Sequence, residues 1–386
     1  MKRSTERILT THVGSLPRSE TLSALMAAKL AGQRVDEHEY RSAAHSAVAE
    51  VVTRQASIGI DVVNDGEQSK IGFVAYVHSR LAGCELTPMR PGENSFDGSR
   101  EYLTFPEFYT SVRGPGGRAP RMACTGPISY AGHSEVRADL DNLRSALDAA
   151  EVEEAFVPAP GPATVENWIQ NCYYSDENEY LTTLADAMRE EYRAIVNAGF
   201  LVQIDDPRLV MRHTLDPDAS VAECLRWAEK RVDLLNYALR DIPPEKVRFH
   251  TCYGINMGPR TTDLELKHIL DLMLRIDATG YSFEAANPRH EHEWQLWTGV
   301  RLPEEKILIP GVISHTTVLV EHPELVAQRI VRFAEAVGRE HVIAGADCGF
   351  ATNPGGVPEV HPTIVWAKLR NLAEGAQLAN DTLWRS

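Results

Sequence analysis

The sequence predicts an α/β fold, a (β/α)8 TIM barrel built as a single domain over residues 1–386. Three observations support this prediction. Short apolar segments rich in Val, Ile and Phe alternate with longer amphipathic segments, the links between them are short, and at least seven such units follow one another. Alternation of this kind produces a parallel sheet, and seven or more units favour a closed barrel over an open sheet.

Nine segments have the composition of strands, and most end in Gly, Pro, Asp or Asn, which are residues that form turns. Their ranges are 7–15, 60–67, 121–127, 155–162, 200–207, 247–254, 281–287, 307–314 and 342–349. A (β/α)8 barrel has eight places, so one segment is surplus. The segment 121–127 is the weakest because it follows the Gly- and Pro-rich stretch 111–120. We therefore expect it to belong to an inserted hairpin.

Amphipathic segments lie between these strands. The segments 179–199, 263–280 and 323–338 repeat apolar residues at spacings of three and four, which is typical of helices that cover a core. Each of them reaches a glycine, namely Gly199, Gly280 or Gly338. Because glycine is favoured at the residue that follows a helix, we expect the three helices to end there.

The region 85–120 departs from this alternation. It is polar and irregular and contains the sequences PGENSFDGSR and RGPGGRAP. We interpret it as an excursion from the barrel. The sequence leaves open whether it serves as a lid or as a contact between copies of the chain in a homo-oligomer.

Composition and charge exclude several classes of partner. The formal net charge of −15 argues against nucleic acid and against an anionic membrane surface, both of which need a basic protein surface. The start of the chain lacks the apolar stretch of a signal peptide, and no stretch approaches the roughly 20 apolar residues of a membrane span. Six scattered cysteines in so long a chain argue against a disulfide framework. We therefore expect a cytoplasmic protein.

Polar side chains occur at nearly every predicted strand end, where a barrel of this type carries its chemistry. They are His12, Ser15, Asp65, Glu67, Asp205, Asp206, His250, Cys252, Glu284, Asn287, His315, Asp347 and Cys348. A barrel built only for stability does not need reactive groups at these positions. The pattern therefore favours an enzyme over a binding module.

His250 and Cys252 stand two residues apart on one predicted strand, so their side chains point to the same face. Glu284 and Cys348 end other strands and are placed to converge with them. One imidazole, two thiolates and one carboxylate suit zinc, which is redox-inert and prefers four tetrahedral ligands. An isolated H-x-C pair is more often simply buried in the core, and only the joint placement favours a metal site.

Structural alternatives remain open for other polar residues. Asp205 and Asp206 precede a proline and are typical of a turn. Glu67 follows a glycine and is typical of a helix start. His315 is compatible with an exposed loop, and Trp168 with a core position.

Several segments in order resemble the catalytic domain of cobalamin-independent methionine synthase and its shorter single-domain relatives. The segments are TTHVGSLPRS (10–19), VVNDGE (62–67), GPATVENW (161–168), QIDDP (203–207), FHTCYG (249–254), FEAAN (283–287), GVISH (311–315) and ADCGF (346–350). No single segment is decisive, but eight in the family's order are a specific signal. The resemblance extends through most of the chain.

The resemblance implies a zinc ion (Zn2+) held by His250, Cys252, Glu284 and Cys348. It implies methyl transfer to a thiol, with homocysteine as the favoured acceptor and methionine as the product. The donor in the parent enzyme is methyltetrahydrofolate. A labile bond between zinc and the glutamate would let the incoming sulfur take the fourth position.

The resemblance also implies roles for five further residues. His315 would be the general acid that protonates the leaving nitrogen of the donor. Glu67 and Asp205 would bind the substrate ammonium, with Ser15 near the substrate carboxylate. Trp168 would present a flat face to a pterin ring.

The sequence departs from the family at some points, and these concern the methyl donor more than the metal. Asp206 replaces a glutamate, the stretch 68–77 is less polar than usual, and RGPGGRAPR (113–121) is the only basic cluster for a polyglutamate tail. One alternative is therefore an alkyl transferase of the same fold that uses another thiol, such as coenzyme M, or another alkyl donor. Remoter alternatives are a metal-free decarboxylase related to uroporphyrinogen decarboxylase and a zinc-stabilised binding protein.

Overall fold

A computed structural model describes residues 1–87, 96–113, 121–254, 258–351 and 360–384. Its strands are β1 Leu9–Thr10, β2 Val62–Val63, β3 Leu81–Thr87, β4 Arg121–Tyr130, β5 Glu154–Pro160, β6 Ile169–Asn171, β7 Leu201–Asp205, β8 Val247–Thr251, β9 Gly280–Phe283, β10 Ile307–Ile313 and β11 Ile343–Ala346. Its α-helices are α1 Glu20–Leu30, α2 Glu37–Ser57, α3 Arg100–Thr104, α4 Pro106–Arg113, α5 His133–Leu147, α6 Pro162–Trp168, α7 Glu177–Asn197, α8 Arg208–Leu215, α9 Val221–Leu239, α10 Leu266–Leu274, α11 Pro323–Val337 and α12 Pro362–Trp384. Four 3-10 helices cover Ala75–Ser79, Pro244–Lys246, Glu291–Gly299 and Arg339–His341.

Eight of these strands form the predicted barrel. They are parallel and follow the order β1-β11-β10-β9-β8-β7-β5-β2. A parallel bridge between Thr11 and Val62 joins the first and last strands of this order. Eight of the nine predicted segments each overlap one barrel strand, so the prediction of a (β/α)8 barrel is confirmed. The observed strands are shorter than the predicted segments because the polar residues at their carboxyl ends leave the ladder.

The ninth predicted segment lies outside the barrel, as expected. It belongs to β4, which pairs antiparallel with β3 and parallel with β6 in a separate three-stranded sheet. The excursion therefore lies between the two strands of a hairpin. Its interior is less irregular than the composition suggested, because α3 and α4 occupy residues 100–113. The basic stretch RGPGGRAPR lies largely outside the described residues, at positions 114–120.

Two of the three predicted helix ends are confirmed. Gly199 follows the cap of α7 with φ +95°, and Gly338 caps α11 with φ +93°. The prediction for Gly280 is wrong, since α10 ends at Leu274 and Gly280 is the first residue of β9. There the residue pairs with Arg248 of β8 and Ile307 of β10, so this glycine belongs to the sheet.

Barrel strands β5, β7, β8, β9 and β10 are almost wholly buried along their length. Strands buried on both faces leave only their ends free to carry polar chemistry. Within the described ranges, no helix combines the length and apolarity needed to cross a bilayer.

Candidate metal centre

Two cysteines from distant strands meet at the carboxyl end of the barrel. Cys252 follows β8 directly and Cys348 lies two residues after β11. Their Sγ atoms are 3.3 Å apart, far longer than the roughly 2.05 Å of a disulfide, and both residues are free thiols. A hydrogen bond from Cys348 lowers the pKa of Cys252 well below its ordinary value, and His250 reinforces this. The pair thus favours a thiolate.

His250 completes a compact set of three soft donors. One nitrogen of His250 and the two sulfur atoms all lie within 4.8 Å of one another, and all three residues are buried. Nδ1 of His250 is 3.1 Å from Oγ of Ser282, whereas its Nε2 has no hydrogen-bond partner among the described residues. A ring nitrogen fixed on one side and free on the other is typical of a metal-ligating histidine. These residues fit a zinc ion.

Glu284, the predicted fourth ligand, lies beside this set but is bound to other groups. It follows β9, and its carboxylate accepts hydrogen bonds from Arg260 at 2.9 and 3.1 Å. The backbone N–H of Tyr253 and Nδ2 of Asn287 donate to it at 2.8 and 2.5 Å. Both carboxylate oxygens are therefore occupied. Its role as a metal ligand stays a prediction.

Glu284 also belongs to a second buried group. Its carboxylate, the imidazole of His315 and the carboxylate of Asp347 lie within 4.8 Å of one another. Burial lowers the pKa of His315, although the Glu284 carboxylate opposes this effect. Burial raises the pKa of Asp347 to about 7, and Glu284 adds to the rise. Two backbone N–H groups, of Ala285 and Ala286, hold Asp347 at 2.8 Å.

The carboxylates of Glu67 and Asp205 lie near the three proposed metal ligands and are buried away from water. Burial raises the pKa of Glu67, and it raises the pKa of Asp205 to about 7. Oε2 of Glu67 has no hydrogen-bond partner in the described part of the chain, while Asp205 accepts one from Gln203 at 2.8 Å. Glu67 is held at φ +54°, an uncommon conformation for a residue with a side chain. Both groups would be stabilised by a bound cation.

Ser15 and Trp168, the other predicted substrate-binding residues, lie in different places. Oγ of Ser15 accepts a hydrogen bond from the N–H of Ala351, three residues after Cys348, so the serine adjoins the metal set. Trp168 is half-buried at the far end of α6, about 10 Å along the helix axis from the end beside Asp206. The structure thus brings Ser15 next to the predicted ligands, and the role of Trp168 stays a prediction.

Arg260 and Ser282 are site residues that sequence reasoning missed. Ser282 lies inside β9 and looks like any small buried residue of a strand. Arg260 lies in the loop between β8 and α10, outside every motif. The only available signal was indirect, since a site predicted to bury several carboxylates requires a cation nearby.

Comparisons with known proteins identify the family of this chain. The family described as "Cobalamin-independent synthase, Catalytic domain" matches residues 8–91 and 123–374. A methionine synthase of Sulfolobus acidocaldarius is 26% identical over 378 residues, covering 97% of this chain and 93% of that protein. A methionine synthase of Thermococcus kodakarensis is 24% identical over 381 residues, covering 97% and 94%.

Solved structures show the same fold. A B12-independent methionine synthase from Shewanella sp. W3-18-1, in complex with selenomethionine, aligns with a TM-score of 0.75 at 19% identity and covers 98% of this chain and 100% of its own. A putative vitamin-B12-independent methionine synthase from Listeria monocytogenes aligns with a TM-score of 0.66 at 19% identity, covering 96% and 98%. Because the family match extends over most of the sequence, this chain belongs to the cobalamin-independent methionine synthase family and is a methyltransferase, as its motifs predicted.

Proposed function

We propose that this protein transfers a methyl group to the thiol of homocysteine, giving methionine, at a zinc ion held by His250, Cys252 and Cys348. The observation that carries the proposal is the convergence of these three buried donors at the mouth of a barrel of this family. Zinc bound there would lower the pKa of a substrate thiol and hold it as a thiolate.

Glu67 and Asp205 would bind the ammonium group of homocysteine. Their pKa values are raised by burial, so both carboxylates gain from a neighbouring positive charge, which restores their ionised form. Ser15 would lie on the carboxylate side of the substrate. An amino-acid thiol fits this arrangement better than an anionic thiol such as coenzyme M, because two acidic groups disfavour an added negative charge.

His315 would donate a proton to the leaving group of the methyl donor. Its imidazole lies close to the Glu284 carboxylate, which stabilises the protonated ring against the cost of burial. The proposed donor is methyltetrahydrofolate or a related methyl compound, and Trp168 would offer its ring to a pterin.

The deciding experiment is isothermal titration of zinc-loaded protein with homocysteine in buffers of different ionisation enthalpy. We expect release of about one proton per bound homocysteine near pH 7, because a thiol that binds as a thiolate loses its proton. Methionine shares the ammonium group but lacks a free thiol, so it should release about one proton fewer than homocysteine. Coenzyme M, which has a thiol but no ammonium group, should bind more weakly. Binding of homocysteine without proton release would contradict the proposed thiol activation.

A single-turnover assay then tests the donor. Methyltetrahydrofolate and methylcobalamin are each mixed with zinc-loaded protein and homocysteine, and methionine is measured. Methionine formed from methyltetrahydrofolate supports the proposed donor. Methionine formed only from methylcobalamin would overturn that part of the proposal while leaving the acceptor in place.

A further inference from the structure

A pocket rich in positive charge lies outside the metal centre, where α6, α8 and α9 meet. It has a volume of about 250 Å³, and its lining includes Asn167 of α6 and Trp227 of α9. Its two cations are Arg208 and Arg212, which stand one turn apart on the same face of α8. Asp216 is the one carboxylate among the lining residues. In a chain with a formal net charge of −15, a positive pocket favours an anionic ligand.

Arg208 is a buried cation that lacks a hydrogen-bond partner at one of its donors. Its Nη1 is shielded from water and donates to no group in the part of the chain that the structure describes. Burial lowers the pKa of Arg208 to about 10, and the charge of Asp206 partly opposes this fall. A buried guanidinium with an unused N–H group costs folding stability, so its presence indicates a ligand that pairs with it.

Arg212 offers a second donor beside the first. Its Nε is also shielded from water and has no partner among the described residues, whereas its Nη2 donates to Oδ2 of Asp216 at 2.8 Å. Its Cζ atom lies 5.2 Å from the centre of the Trp227 ring, which helps to hold the guanidinium in place. Planar guanidinium groups match the oxygen atoms of carboxylates and phosphates.

Helix α8 places this pocket close to the mouth of the barrel but apart from the proposed metal ligands. Met211 of α8 packs at Gly254, where an added Cβ atom would lie 3.0 Å from the Cε atom of Met211. The carbonyl oxygen of Gly254 is in turn 3.4 Å from Nε2 of His315. On the other side, Asn167 precedes Trp168, the residue proposed to face a pterin ring. The pocket is therefore a separate site that adjoins the mouth.

We propose that the pocket between Arg208 and Arg212 binds a carboxylate or phosphate group. Two sources have this chemistry. One is the acidic tail of a folate-type methyl donor, and this source rests on the proposed function. The other is a free oxyanion such as inorganic phosphate, which would bind independently of methyl transfer. Either source supplies the partner for Arg208 that the described residues do not.

The test is titration calorimetry of the full-length chain at low ionic strength with two probes. Inorganic phosphate represents the free oxyanion, and p-aminobenzoyl-triglutamate represents the donor tail. The variants are Arg208→Met, Arg212→Met and Asp216→Asn. The control is Arg226→Met, because Arg226 is an exposed arginine of α9 that does not line the pocket.

We expect Arg208→Met and Arg212→Met each to weaken probe binding by roughly 10-fold or more, because each loses a charge-assisted hydrogen bond. Asp216→Asn should tighten binding by about 3-fold, since it removes the carboxylate that competes for Arg212. General destabilisation cannot produce such a gain. Arg226→Met should leave both affinities unchanged.

Urea unfolding without ligand provides a second measurement. Arg208→Met should raise the urea midpoint, because it replaces a buried guanidinium that lacks a full set of partners by an apolar side chain of similar length. An arginine that serves only the fold would lower the midpoint when replaced. If Arg208→Met lowers the midpoint or does not fold, Arg212→Met and Asp216→Asn decide the matter.

The two probes distinguish the sources. Triglutamate bound at least about 10-fold more tightly than phosphate identifies the donor tail, whereas phosphate bound as tightly as triglutamate identifies a free oxyanion. The proposal is overturned if neither probe binds with a Kd below about 1 mM, or if the arginine variants bind as the wild type does. Failure of the proposed function gives a different result, because the probes carry no methyl group and their binding does not need zinc.

Discussion

The Sγ atoms of Cys252 and Cys348 lie 3.3 Å apart although their strands, β8 and β11, are separated in the sheet by β9 and β10. Side chains from strands this far apart in the sheet meet only because the barrel closes and all its carboxyl ends face one mouth. The contact therefore depends on the global fold. It also joins two segments that are 96 residues apart in the chain.

Replacing either of these cysteines should remove the metal. We expect Cys348→Ser to retain the fold but to bind zinc at least about 100-fold more weakly, because even residues that only support a ligand cost roughly 10–100-fold. Metal content by mass spectrometry after dialysis against a chelator measures this. Cys224→Ser is the control, because Cys224 is a buried cysteine in α9 and not a proposed ligand. This variant should keep its zinc. Equal zinc content in both variants would contradict the assignment.

Ser282 should matter through the ring that it orients. Its Oγ lies 3.1 Å from Nδ1 of His250, and a partner on that nitrogen fixes the ring for metal binding through the other. Ser282→Ala should weaken zinc binding by about 10-fold while leaving zinc bound at high concentration. Ser4→Ala is a matched control, because Ser4 is equally buried and its hydroxyl donates to Val342 instead. An equal effect of both substitutions would point to a general loss of stability.

The sequence could predict those parts of the molecule that depend on local pattern. Eight strand segments were visible because each combines apolar residues with a turn signal, and His250 and Cys252 were visible as a pair because strand geometry alone puts them on one face. The convergence of Cys348 with this pair followed once a closed barrel was assumed. These predictions needed no knowledge of loop conformation.

The partner of Glu284 could not be predicted in this way. Arg260 reaches Glu284 only because its loop adopts φ +58° and is anchored by Glu101 from the excursion. Neither the backbone angle nor a contact over 159 residues leaves a periodic signal in the sequence. The error at Gly280 has a related cause, since its pairing with Arg248 and Ile307 in the sheet is a long-range contact that the helix-ending preference of glycine does not reveal.

His12 should make the protein sensitive to acid. Burial lowers its pKa to about 4, so between pH 6.5 and 4 the unfolded chain binds a proton that the folded chain does not. Above pH 6.5 the neutral ring makes its full contribution to the free energy of unfolding. As the pH falls, this contribution is lost, by about 2 kcal/mol at pH 5. Urea unfolding of wild type and His12→Gln at pH 7.5 and pH 5 measures it, because the variant lacks this titration. A free-energy difference independent of pH would refute the prediction.

Gly14→Ala should damage substrate binding without affecting the metal. A Cβ atom on Gly14 would lie 2.5 Å from Oε1 of Glu67, so the carboxylate must move away from the place where it would meet the substrate ammonium. Loss of one charge-assisted contact of about 1.5 kcal/mol predicts homocysteine binding roughly 10-fold weaker. Titration calorimetry on zinc-loaded protein measures this, with zinc content as the internal check. Gly299→Ala is the control, because a Cβ atom there meets nothing within 4 Å. Unchanged homocysteine affinity in folded, zinc-loaded Gly14→Ala would remove Glu67 from the proposed substrate site. Among the proposed substrate-binding groups, Glu67 is the one that the added Cβ atom would contact.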